Sequence, residues 1–139
     1  MTTETNKAAV RRFHECFDAG DWSGVAALCT KDMKSYQTGV DGAQSYAAFE
    51  AFANGFGRAF SQSRMIIEDQ VAEGDVVATR ITWSGIHTGD FNGIPASGRP
   101  VRIECCVFDR FKDGKITEHR GQFDAMALMA QIGAIPVPA

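Results

Sequence analysis

Gly74-Asp75-Val76-Val77-Ala78-Thr79-Arg80-Ile81-Thr82-Trp83 reads as a tight turn feeding a long strand whose residues alternate between two faces. The pattern recurs downstream. Val101 to Phe111 is a second long strand, Asp113-Gly114 supplies the positive-φ turn of a hairpin, and Lys115 to Phe123 returns as its partner. Upstream, Ser63 to Ala72 is a strand entering the Gly74-Asp75 turn, and a loop rich in glycine and proline, Gly85 to Pro100, separates the two halves of this meander.

The first half of the chain has a different period. Asn6 to Ala19 places Val10, Phe13, Cys16 and Phe17 on one helical stripe and stops at Gly20. Asp21 is an N-cap for a short helix over Trp22 to Cys29. Met33 to Gln37 is a brief strand, followed by a turn through Gly39 and Gly42. Ser45 to Phe60 is a third helix with Tyr46, Phe49, Phe52, Phe56 and Phe60 on one side; its Gly55 and Gly57 are expected to mark close packing rather than a break. A last helix, Ala125 to Gln131, ends at Gly133. Helices followed by an antiparallel meander make an α+β layout, expected as a single domain over residues 1–139. A curved sheet wrapped over a few helices encloses a cavity, a natural seat for a small molecule.

Composition narrows the function. A formal net charge of -3, with the 14 basic residues scattered, gives no electrostatic reason to seek nucleic acid or an anionic membrane. No apolar run approaches a bilayer span, and the polar N-terminus lacks the apolar core of a secretory signal, so a cytoplasmic location is expected. Cys16, Cys29, Cys105 and Cys106 form no C-x-x-C pair and sit in apolar runs, where they read as buried thiols, Cys105 and Cys106 facing opposite ways. The histidines are not at metal-ligand spacing, and Gly85 to Gly98 joins strands rather than opening a phosphate-binding helix. Lys7, Lys31, Lys34, Lys112 and Lys115 all lie at helix starts or turns, which disfavours a Schiff-base mechanism.

Three stretches carry a resemblance. Gly85-Ile86-His87-Thr88-Gly89-Asp90-Phe91-Asn92-Gly93-Ile94-Pro95-Ala96-Ser97-Gly98 has the form G-x-H-x-G-x-F-x-G-I-P-x-x-G; Asp113-Gly114-Lys115-Ile116-Thr117-Glu118-His119 has the form D-G-K-I-x-E-H; and Phe123-Asp124 leads a closing helix to Gly133. Together they resemble the SnoaL-like polyketide cyclases, within the group typified by nuclear transport factor 2 and ketosteroid isomerase. The resemblance implies a cone-shaped α+β barrel, with N-terminal helices packed against a curved, mixed but mostly antiparallel sheet enclosing a pocket. It also implies a cofactor-independent enzyme acting on a small carbonyl compound, and a homodimer paired through outer sheet faces.

By the same resemblance Asp124 is the general acid/base of an aldol ring closure, a carboxylate whose pKa an apolar pocket would raise. The plain alternative is a cap on the helix that follows it. His119 has the opposite parity on its strand, so only a bulge would bring both residues into one pocket; otherwise one faces away. Arg120, standing where the family usually has tryptophan, shares parity with Gln122 and Asp124; it either holds an anionic substrate group or points to solvent. His14 on the first helix, Tyr36 on the short strand, and Trp83 and His87 on the long one complete the candidate pocket, with His87 also suited to holding its loop. The aspartate of ketosteroid isomerase is missing from Met33 to Thr38, which disfavours steroid isomerisation. Two other readings remain: a binding domain without catalysis, and epoxide hydrolysis through an Asp-Arg-Asp set drawn from Asp109, Arg110 and Asp124.

Overall fold

The computed structural model describes residues 2–136, so the expected domain over 1–139 extends past both described ends. Helix α1 (Thr3–Ala19) begins three residues earlier than the hydrophobic stripe suggests, because Thr2 and Thr5 form a capping box. Gly20 closes it in the left-handed conformation, and Asp21 caps α2 (Trp22–Ala27) by accepting the Gly24 amide hydrogen. Strand β1 (Cys29–Tyr36) and helix α3 (Tyr46–Ala59) complete the first half.

The second half is the meander: β2 (Phe60–Glu73), β3 (Val76–His87), β4 (Pro100–Lys112) and β5 (Lys115–Phe123), closed by α4 (Ala125–Gln131). The strands form one mixed sheet in the order β1-β5-β4-β3-β2, antiparallel except where β1 lies parallel to β5. It is an open sheet with β1 and β2 as edges, and with the helices packed against it this is the expected α+β arrangement of a mixed, mostly antiparallel sheet.

The helices lie over one face, and that face alternates cleanly into the core: Val77, Thr79, Ile81 and Trp83 of β3 are buried, as are Val101, Ile103, Val107, Asp109 and Phe111 of β4. One apolar cluster joins α1 to β1 and β5 through Val10, Phe13, Met33, Phe49 and Ile116. A second joins Ala59 and Phe60 to Trp83, Phe91, Ile103 and Leu128. The expected packing role of the α3 glycines is not met. A Cβ at Gly57 would touch nothing within 4 Å, and one at Gly55 would only graze Arg58, so these glycines leave space instead of closing it.

Candidate functional site

A cavity of about 290 Å³ lies between the sheet and helices α1 and α3. Phe13, Phe17, Phe49, Phe56, Trp83 and Phe123 supply much of its wall. Trp83 is held by its indole N–H donating to Ser63 Oγ at 2.8 Å and by edge contacts with Phe56 and Phe60. The Cys105 thiol also faces the cavity, and burial pushes its pKa up to about 12, so it stays a thiol.

Three ionisable groups meet at this aromatic box, His14 and His119 in its wall and Asp109 behind His119. Asp109 and His119 stand directly opposite each other on β4 and β5 and both face inward. His119 Nδ1 lies 2.6 Å from Asp109 Oδ1, with the carboxylate fully buried and the imidazole 5% exposed. A carboxylate oxygen accepts, so Nδ1 donates, and Nε2 is the ring nitrogen that this pair leaves over. Phe13 and Phe49 bracket the imidazole at centroid distances of 5.2 Å. His119 is itself part of the cavity wall.

The third group is His14, which α1 turns inward beside Phe13. Neither of its ring nitrogens has a hydrogen-bond partner among the described residues. Burial lowers its pKa to about 4; the Asp109 charge opposes this and the neighbouring His119 adds to it. At neutral pH it is an uncharged imidazole with one N–H to give. One helical turn further on, at the rim, Asp18 Oδ2 accepts the Met65 amide hydrogen at 3.0 Å, and partial burial raises its carboxyl pKa.

The sequence pattern of the SnoaL-like polyketide cyclases matches residues 7–132. The chain belongs to that family. It is 28% identical over 130 residues to the aklanonic acid methyl ester cyclase DnrD of Streptomyces peucetius, covering 89% of this chain and 88% of that one. Among solved structures, AclR of Streptomyces galilaeus, a candidate hydroxylase, superposes with a TM-score of 0.89 at 27% identity over 99% of this chain and 87% of its own. IdmH of Streptomyces antibioticus, a candidate polyketide cyclase, gives 0.84 at 26% identity, covering 92% and 98%.

Within this SnoaL-like fold the expected site residues part company. His14, Trp83, His119 and Gln122 line the cavity, Gln122 at an exposed position where its Oε1 accepts from Thr38 Oγ1 at 3.1 Å. Asp124 does not. It is exposed and caps α4, Oδ1 accepting the Ala127 amide hydrogen at 3.0 Å. The physical reason is parity: β5 turns His119, Gly121 and Phe123 to the cavity, so Arg120 and Asp124 begin from the other side, and Gln122 reaches the lining only from its exposed position.

Arg120 and Tyr36 also leave the expected pocket. They are register neighbours on parallel strands, with the guanidinium 3.8 Å over the phenol ring and bonded to Glu118 on the outer face. His87 is buried but serves its loop: Nδ1 accepts the Ser97 amide hydrogen at 3.1 Å and lies 2.9 Å from Ser97 Oγ. The Asp-Arg-Asp set is not assembled, since Asp109 faces in, Arg110 pairs with Asp75 outside, and Asp124 caps its helix. Cys106 is exposed rather than buried, because Cys105 takes the inner face. Among the described residues no group of His, Cys, Asp or Glu is placed to hold a metal ion, and no helix is long and apolar enough to cross a membrane.

Asp109 is the residue whose role the sequence conceals. A ladder counted strictly from the Lys112–Lys115 pair sets Asp109 opposite Glu118. An irregularity beyond Phe111–Ile116 leaves Thr117 unpaired, and His119 takes that place. Asp109 stands alone as an acid among apolar inward neighbours, which is the signal available from sequence.

Proposed function

We propose that the protein closes a ring in a small carbonyl compound by cofactor-independent, aldol-type acid/base chemistry inside its aromatic cavity. The observation that carries this is the buried Asp109–His119 pair, which leaves one imidazole nitrogen for the cavity beside an unpartnered neutral His14. His119 Nε2 takes a proton from a carbon acidified by flanking carbonyls, and Asp109 stabilises the imidazolium that forms. His14 donates its N–H to the enolate oxygen. The carbanion adds to a second carbonyl of the same molecule, forming a carbon–carbon bond, and the resulting alkoxide recovers the proton from His119.

Aklanonic acid methyl ester, the compound in the relative's name, is the first substrate to offer. His119→Gln is expected to lower turnover by about 10²–10⁴-fold, while Asp124→Asn leaves it within about twofold, since asparagine caps a helix as well as aspartate. Retained turnover in His119→Gln with loss in Asp124→Asn would return the acid/base role to Asp124. A binding domain without catalysis is favoured by one observation, the outward Asp124, but accounts poorly for an ionisable pair buried against a ligand-sized cavity. A cytoplasmic location and a homodimer joined through the outer sheet face belong to the same proposal.

A further inference from the structure

Gly121 lies near the C-terminal end of β5 on the cavity wall, two residues beyond His119 on the same face. Glycine weakens a strand interior and marks a place where something must come close. Here the close neighbour is Gln37: a Cβ on Gly121 would stand 3.2 Å from Gln37 Oε1. The other end of that amide is fixed, Gln37 Nε2 lying 2.6 Å from Ser35 Oγ. Ser35 is fully buried, and its backbone exchanges two hydrogen bonds with Gln44 at 2.8 and 2.7 Å. Gln37 itself lines the cavity. The fold therefore clears a notch in one strand and anchors a neutral amide in it. With Nε2 donating to Ser35, Oε1 is the end turned to the notch, and an amide oxygen only accepts, so the notch takes a hydroxyl.

We infer that Gln37, seated in the Gly121 notch, is a positioning residue that holds a second oxygen of the substrate while His119 works on the first part of the molecule. Two residues of strand set the Gly121 notch about 7 Å along β5 from His119. The substrate class that spans them is a flat, rigid compound with a hydroxyl at the Gln37 end, a carbonyl or hydroxyl oxygen at the other and aromatic surface between, matching the phenylalanine-rich walls. Gln37 carries no charge and takes no proton; its effect is on which carbon is presented to His119.

The inference rests on the cyclase reading for its substrate, but its test reads binding alone. Calorimetry would compare 2,6-dihydroxynaphthalene, with an oxygen at each end, against 2-naphthol, with one. The wild type is expected to prefer the diol by roughly fivefold, the worth of one hydrogen bond of about 1 kcal/mol. Gln37→Leu and Gln37→Met, both checked for an unchanged melting temperature, are expected to bind the two probes equally. Three results overturn the inference: no preference in the wild type, a preference that survives in folded variants, or an equal loss on both probes, which would make Gln37 plain wall. Retained turnover in His119→Gln would sink the acid/base reading and leave the Gln37 result standing, so the two failures are told apart.

Discussion

Burial holds the His14 imidazole neutral down to about pH 4, against an unperturbed value near 6.5, and this fixes the sign of a stability effect. Between those values the unfolded chain binds a proton that the folded one refuses. The contribution is therefore fully present above about pH 6.5 and is lost as pH falls towards about 4. Its size is on the order of 3 kcal/mol. His14→Gln should flatten the decline in urea-unfolding free energy between neutral pH and about pH 4.5. Asp109 and His119 face His14 and are present in both proteins, so the difference between the two curves reads the loss of His14. Parallel declines would show that His14 does not set the acid sensitivity. At Asp124 the expectation is smaller: Asp124→Ala removes a helix cap and costs about 1 kcal/mol, a loss thermal unfolding resolves, and the cavity keeps its affinity for a bound aromatic probe.

The element that sets the site is the β4–β5 hairpin, and its turn is where the chain is most constrained. Asp113 and Gly114 both adopt positive φ, at 50° and 80°. Only glycine occupies the second position without a Cβ clash, so Gly114→Ala should cost about 1–2 kcal/mol, measured by chemical denaturation. If that variant matches wild type, the turn is not what holds the register. The turn was legible as Asp113-Gly114, and so were the helical stripes of α1 and α3, because apolar spacing and turn chemistry are local properties of the sequence. The facing of β5 was not. A single unpaired residue, Thr117, decides which neighbour of Asp109 is His119, and nothing in the residue type of Thr117 announces it. For the same reason the helix-cap reading of Asp124 was available from sequence, whereas its position relative to the cavity needed the strand's parity. Tyr36 and Arg120 escaped because β1 pairs parallel to β5, a long-range contact that brings two outward side chains together.

At the scale of the whole molecule the helices cover one face of the sheet and leave the other bare. Across that outer face runs a row set by the registers: Val71 beside Ala78, Ala78 beside Phe108, Phe108 beside Arg120, and Arg120 beside Tyr36. Val71, on the edge strand β2, is 66% exposed, and Phe108, on the inner strand β4, is 55% exposed, unusual for a side chain of its size at the middle of a sheet. On one side of the row Arg80 pairs with Asp69 and Glu104; on the other Arg110 pairs with Asp75 and Glu118. Both signs of charge therefore flank an apolar stripe, as a self-complementary contact about a two-fold axis requires. The sheet's five strands, the longest of them 14 residues, make a face on the order of 700 Å², close to the roughly 800 Å² each partner contributes to a stable interface. Phe108→Glu places a charge at the centre of that stripe without touching the cavity, which lies across the sheet. Light scattering is expected to show a dimer for the wild type and a monomer for this variant, with the affinity of the cavity for an aromatic probe unchanged. A monomeric wild type would leave Phe108 and Val71 as exposed side chains of a solitary sheet; a dimer that survives the substitution would place the contact elsewhere on the surface.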